Sequence, residues 1–198
     1  MKTSVLVPII EGYAEMQSAP LLLRRLLAER GQYEIKIARP IRIGRYRIVR
    51  PNELERAIEL ARRRTEGCHA IMILLDADDD CPKKLAPILL QRARKASVGI
   101  PVSIVLAKRE FEAWFLGSLE SLRNIRGLSP QATPPERPEE IRDAKGYLSH
   151  RMVSRRTYLE VDDQPAFAEK FDLALSRQRC PSFDKFMREV DALLSALT

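Results

Sequence analysis

Three short stretches of the chain are almost continuously apolar: Val5 to Ile10, Ala70 to Leu75 and Val102 to Ala107. Runs of this length without alternation predict strands covered on both faces, the habit of parallel sheets. Between them the apolar positions fall at helical spacing. Glu15 to Arg30 carries Leu22, Leu23, Leu26 and Leu27 on one stripe, with Gly31 placed to cap the end. Pro20 is expected near the first turn of a helix starting near Met16, where the amides have no acceptor to lose. Asn52 to Arg64 reads as a second helix, with Asn52 as N-cap, Leu54, Ile58 and Ala61 inward and Gly67 beyond its end. Pro82 to Ala96 reads as a third, with Leu85, Ile88, Leu89 and Ala93 inward, and Arg109 to Leu116 as the start of a fourth around Trp114. Tyr33 to Ala38 and Ile41 to Val49 alternate polar with apolar residues, which predicts one or two strands with an exposed face at a sheet edge.

Strands alternating with helices predict βαβ units, right-handed crossovers and a mostly parallel sheet. The fold class is therefore α/β. After residue 126 the pattern changes. Pro130, Pro134, Pro135 and Pro138 mark 127–138 as a linker or loop, and no strand-like run follows. Glu139 to Met152, Gln164 to Leu175 and Ser182 to Leu197 read as helices, the last with Phe183, Phe186, Val190, Leu193 and Leu194 on one face. The expected organisation is an α/β core over 1–126, a Pro-rich connection over 127–138 and a helical appendage over 139–198.

Composition narrows the class without naming a reaction. With 198 residues, 45% of them hydrophobic, the chain has the material to bury about 70% of its unfolded surface. Its net charge of +7 favours a polyanionic partner. Cys68, Cys81 and Cys180 are odd in number and far apart, which excludes a disulfide framework and a paired zinc pattern. The initial apolar run is too brief for a secretion signal and no stretch approaches the roughly 20 apolar residues of a membrane span. A cytoplasmic location without membrane association is the expectation.

All three buried runs end in acid: Glu11, with Glu15 four residues on; Asp76, Asp78 and Asp80; and Glu110 with Glu112. Ligands of open α/β sheets bind beyond the carboxyl ends of the strands. Parallel neighbouring strands would thus send these acids into one crevice, where clustered carboxylates call for a hard cation, and Mg²⁺, with Mn²⁺ as its substitute, suits them. The same acids also suit solvated turns that cap the following helices. Asp76-x-Asp78-x-Asp80 fails as an EF-hand loop, because Cys81 stands where Gly is required and Pro87 where Glu is required. Walker, dinucleotide-binding and hydrolase-elbow signatures are absent from the sequence, and two histidines, His69 and His150, offer little for a histidine-based site.

Glu11-Gly12, Glu15 and Asp76-Ala77-Asp78 together resemble the toprim domain of topoisomerases, primases and OLD-type nucleases. Nearly the whole chain looks like a stand-alone bacterial toprim-like family of unknown function, whose members similarly carry Glu-x-Glu-Ala-Trp, here Glu110 to Trp114, and a Cys-Pro-Ser-Phe segment, here Cys180 to Phe183. The resemblance implies a Rossmann-like core and Mg²⁺-dependent phosphodiester chemistry. Glu11 would serve as general acid/base or ligand, Asp76 and Asp78 as ligands, and Glu15, Asp80, Glu110 and Glu112 would complete a second metal position. It also implies an ATPase partner. A phosphatase that forms an aspartyl phosphate on Asp76 is a weaker match, since Asp79 and Asp80 depart from that pattern.

Arg39 to Arg64 contains nine arginines against three glutamates, a net of +6. Arg42, Arg45, Arg47 and Arg50 are candidates to track a phosphate backbone, joined by Lys145 and Arg179 from a second basic group. A charged edge strand guarded against aggregation is the competing reading. Together these features predict a Mg²⁺-dependent nuclease acting on DNA more than RNA. The alternative is a regulatory subunit of an ATPase that keeps the crevice for metal or nucleotide and has no activity alone.

Overall fold

A computed structural model describes residues 3–64, 67–153 and 156–197. Its sheet is parallel throughout. Strands β1 (Val5–Ile10), β4 (Ala70–Asp76) and β5 (Val102–Ala107) lie side by side, and β2 (Lys36–Ile37) and β3 (Ile41–Arg42) both pair with the free edge of β1. The three apolar runs are the three long strands, and every residue from Val5 to Ile10 is buried.

Burial on both faces follows from the pleat. Leu6, Ile10, Met72, Leu74 and Val105 face one cluster, while Val7, Ile9, Ile71, Ile73, Leu75 and Ile104 face the other. On the second side lie α3 (Glu53–Arg62) and α4 (Pro82–Ser97). The first side is covered by α1 (Glu15–Glu29), α5 (Ala113–Gly117) and the C-terminal helices. Of these, α9 (Pro181–Ser195) buries Phe183, Phe186, Val190, Leu193 and Leu194, all five residues that its spacing singled out. Leu128 and Ala132, from the Pro-rich segment, enter this same core.

Several local expectations are corrected. Ile41 to Val49 is a strand only to Arg42; Arg45–Ile48 forms a helical turn, α2, which buries Arg45 and Ile48 and turns Tyr46 and Arg47 outward. Alternation over so short a stretch does not distinguish a strand from one helical turn. Asn52 makes no side-chain cap and instead holds a left-handed conformation, φ 65°. Pro20 lies in the second turn of α1, whose first residue is Glu15. Ile88 is exposed. The expected helix 139–152 is limited to α6 (Ala144–Ser149) after a 3-10 turn, and that over 164–175 becomes α7 (Glu160–Lys170) and α8 (Leu173–Arg179). Among the described residues no helix is long and apolar enough to cross a membrane.

Chain direction fixes where a ligand would sit. The connection after β1 leads through α1 to β2 on one side, whereas the connection after β4 leads through α4 to β5 on the other. The crevice at their carboxyl ends is the topological switch point of the sheet.

Candidate functional site

Glu11 follows β1 and Asp76 ends β4, and the register Ile10↔Leu74 puts the two exits side by side. The Glu11 carboxylate accepts the Asp76 backbone N–H at 3.2 Å. Asp76 in turn accepts the Phe111 N–H at 2.8 Å, tying the loop after β5 to the end of β4. That loop delivers Glu112, which is fully buried. Its Oε1 accepts the Tyr158 hydroxyl at 3.2 Å and the Gln164 amide at 3.0 Å. The same Gln164 amide reaches Glu15 at 3.3 Å, and Ser18 donates to the Gln164 oxygen, which fixes the amide's orientation. Glu11, Glu15, Asp76 and Glu112 are thus brought together from all three strand exits.

Their surroundings are poor in positive charge. Burial pushes Glu11 up to about 7, with Asp78 and Glu15 adding like charge and the Asp76 N–H opposing. Burial also pushes Glu112 up to about 7 and raises Glu15. Asp76 stands well above the ordinary carboxylate range through burial and the charges of Glu112, Glu15 and Glu11. Lys145, from α6, is the cation that Glu15, Asp76 and Glu112 face, while Glu11 faces Arg45. Burial disfavours its charge, but Glu112, Glu160 and Asp76 outweigh that and hold it above its ordinary value. Its ammonium lies 2.8 Å from Glu160. Lys145 thus pairs with Glu160 while facing Glu112 and Asp76.

The Oε2 atoms of Glu15 and Glu112 are buried and have no hydrogen-bond partner among the described residues. Each such oxygen bears a desolvation cost that a cation would relieve. Gly12 belongs to the same arrangement, because a methyl at its Cβ position would overlap the Glu15 carboxylate. Gly12→Ala should displace that carboxylate from Gln164 and lower stability by about 1 kcal/mol; thermal unfolding measures it.

Other candidates lie outside this hydrogen-bonded set. Asp80 is exposed and pairs with Arg45, whose own side chain is only 5% exposed. Asp78 is exposed, with φ 50°, and its N–H meets the Arg109 carbonyl at 3.0 Å. Glu110 accepts the Lys145 backbone N–H at 3.3 Å, and burial raises its carboxyl above the usual range. Arg47 pairs with Glu53, and Arg50 offers its carbonyl to Arg92. Arg179 binds the Gly117 carbonyl and Glu120, joining α8 to α5. Of the basic set, Arg42 adjoins the crevice by donating to the Glu11 carbonyl at 3.4 Å, and Arg45 and Lys145 adjoin it through their charge.

Carboxylate oxygens are the donor type that Mg²⁺ takes, and it commonly uses one or two of them beside water and a substrate phosphate. Among the described residues no group of three or more His, Cys, Asp or Glu is placed to hold a metal ion. The donor type suits Mg²⁺, but the described carboxylates do not form a closed cage.

Stability carries the signature of this burial. Between about pH 4.5 and 7 the folded chain keeps protons on Glu11 and Glu112 that the unfolded chain has released. Their contribution is full below the unfolded value and is lost as pH rises through about 7. Glu112→Gln should exceed wild type by on the order of 1–3 kcal/mol at pH 8 in EDTA, and the gap should close by pH 5. Urea unfolding at the two pH values measures it.

No curated protein and no solved structure gives a significant match to the chain. The family model described as Domain of unknown function (DUF4276) matches residues 10–191, from the last residue of β1 into α9. The chain belongs to that family.

Proposed function

We propose that the crevice binds Mg²⁺ and hydrolyses phosphodiester bonds of nucleic acid, DNA before RNA. One observation carries the reading: four acids from three strand exits, with Lys145 and Arg45 as the cations beside them, leave two buried carboxylate oxygens without a donor among the described residues. The toprim resemblance agrees in its residues, Glu11, Asp76 and Asp78.

Glu11 and Asp76 would hold the ion at the open mouth, with Asp78 exposed at its rim, and Glu15 with Glu112 would serve a second position. Bound there, Mg²⁺ would neutralise phosphate charge and lower the pKa of water. Glu11, poised near neutral pH by burial, is suited to take or return a proton. Gln164 and Tyr158 hold the Glu112 carboxylate in place. Asp80 is proposed no longer as a ligand but as the group that fixes Arg45 beside Glu11, toward which Arg45 presents its charge.

A regulatory subunit working with an ATPase is the second reading, favoured by Lys145 already neutralising part of the centre. Assaying cleavage of single- and double-stranded DNA and RNA across a Mg²⁺ and Mn²⁺ titration separates the two. The nuclease reading expects metal-dependent cleavage that collapses in Asp76→Asn. Absence of cleavage by the isolated chain at every metal concentration removes it.

A further inference from the structure

Tyr13 belongs to none of the acidic or basic groups and lies two residues beyond Glu11. The residue is 71% exposed. Water is a poor environment for so large an aromatic surface, yet this ring is not loose. The Arg42 guanidinium lies over it, 3.9 Å from the centroid, and donates to the Tyr13 hydroxyl at 3.2 Å. Arg42 also reaches the Glu11 carbonyl at 3.4 Å, so one arginine braces both the ring and the backbone of the acidic crevice. A guanidinium over a tyrosine face is attracted by the ring's quadrupole, which biases the ring's orientation before any ligand arrives.

We infer that Tyr13, braced by Arg42, is a stacking platform for an unpaired nucleobase next to the phosphodiester at the carboxylates. The inference rests on the nucleic-acid reading above and adds a preference for single-stranded substrate. Every base has a π face, so such a platform is tolerant of sequence, and it needs the base to be unstacked from its neighbours. Two residues of extended chain span at most about 7 Å, roughly two nucleotide steps at 3.4 Å each. A base on Tyr13 therefore keeps its strand within reach of Glu11. The stacked guanidinium adds positive charge where the backbone would pass.

Tyr33 supplies an internal control. It is 79% exposed, but precedes β2, whose register Val5↔Lys36 places it at the opposite, amino end of the sheet.

The test measures binding by fluorescence anisotropy with a labelled 12-nucleotide single strand and its duplex, in Ca²⁺ so that no turnover is required. Tyr13→Ala should weaken single-strand binding about tenfold, the effect of losing one base stack, and change duplex binding less than twofold. Tyr13→Phe should bind like wild type, Arg42→Gln should fall between, and Tyr33→Ala should have no effect. Single-strand binding by Tyr13→Ala equal to wild type overturns the platform, as does an equal loss for single strand and duplex. Cleavage in Mg²⁺ is followed separately. A chain that cleaves while Tyr13→Ala binds normally loses the platform and keeps the metal reading. A chain that binds single strands through Tyr13 and cleaves nothing keeps the platform and loses the nuclease.

Discussion

Replacing Trp114 by alanine is expected to destabilise the chain by about 3–5 kcal/mol, the cost of a large aromatic removed from a packed core. The ring is fully buried, with centroids 4.8 Å from Phe111, 5.0 Å from Phe183 and 5.2 Å from Phe186. Its Nε1 donates to Ser182 at 2.8 Å, and Ser182 also accepts the Lys108 N–H at 3.0 Å. One residue thus joins the loop after β5 to the start of α9. Against a typical total of 5–15 kcal/mol, such a loss leaves little margin. Trp114 is also two residues from Glu112, so the same substitution should loosen the acidic centre. Urea unfolding followed by circular dichroism measures the effect, and a loss under 1 kcal/mol would show that the C-terminal helices and the sheet do not share a core.

Asp76→Asn should do the reverse, sparing the fold and removing the proposed cleavage. Asparagine keeps an oxygen for the Phe111 N–H and deletes a carboxylate that Glu11, Glu15 and Glu112 all oppose. Thermal stability at pH 8 should be unchanged or higher. Metal-dependent cleavage should fall at least 10²- to 10³-fold, the scale of losing one preorganised electrostatic group. A variant within tenfold of wild type would remove Asp76 from the chemistry.

The long strands were legible because a six-residue run with no polar alternation has few other uses in a soluble fold. The register that sets Glu11 beside Asp76 was legible too, given parallel order and the switch-point rule. Arg45 was misread because alternation over four residues fits a helical turn as well as a strand. The partners of the acids were not legible at all. Gln164 meets Glu15 across 149 positions and Glu112 across 52. No local pattern marks a glutamine for such a contact, which depends on how α7 docks against α1. The surroundings of Lys145 were hidden for the same reason: its charge is visible in sequence, but the carboxylates around it come from elsewhere in the chain.

The convergence of these carboxylates on a divalent cation is tested most directly by anomalous scattering from a crystal soaked in Mn²⁺. A peak within coordination distance of Asp76 together with Glu11, Glu15 or Glu112 is the predicted result. A fully soaked crystal with no anomalous density at the carboxyl ends of β1 and β4, and the Lys145 ammonium held among the acids in its place, would contradict the account.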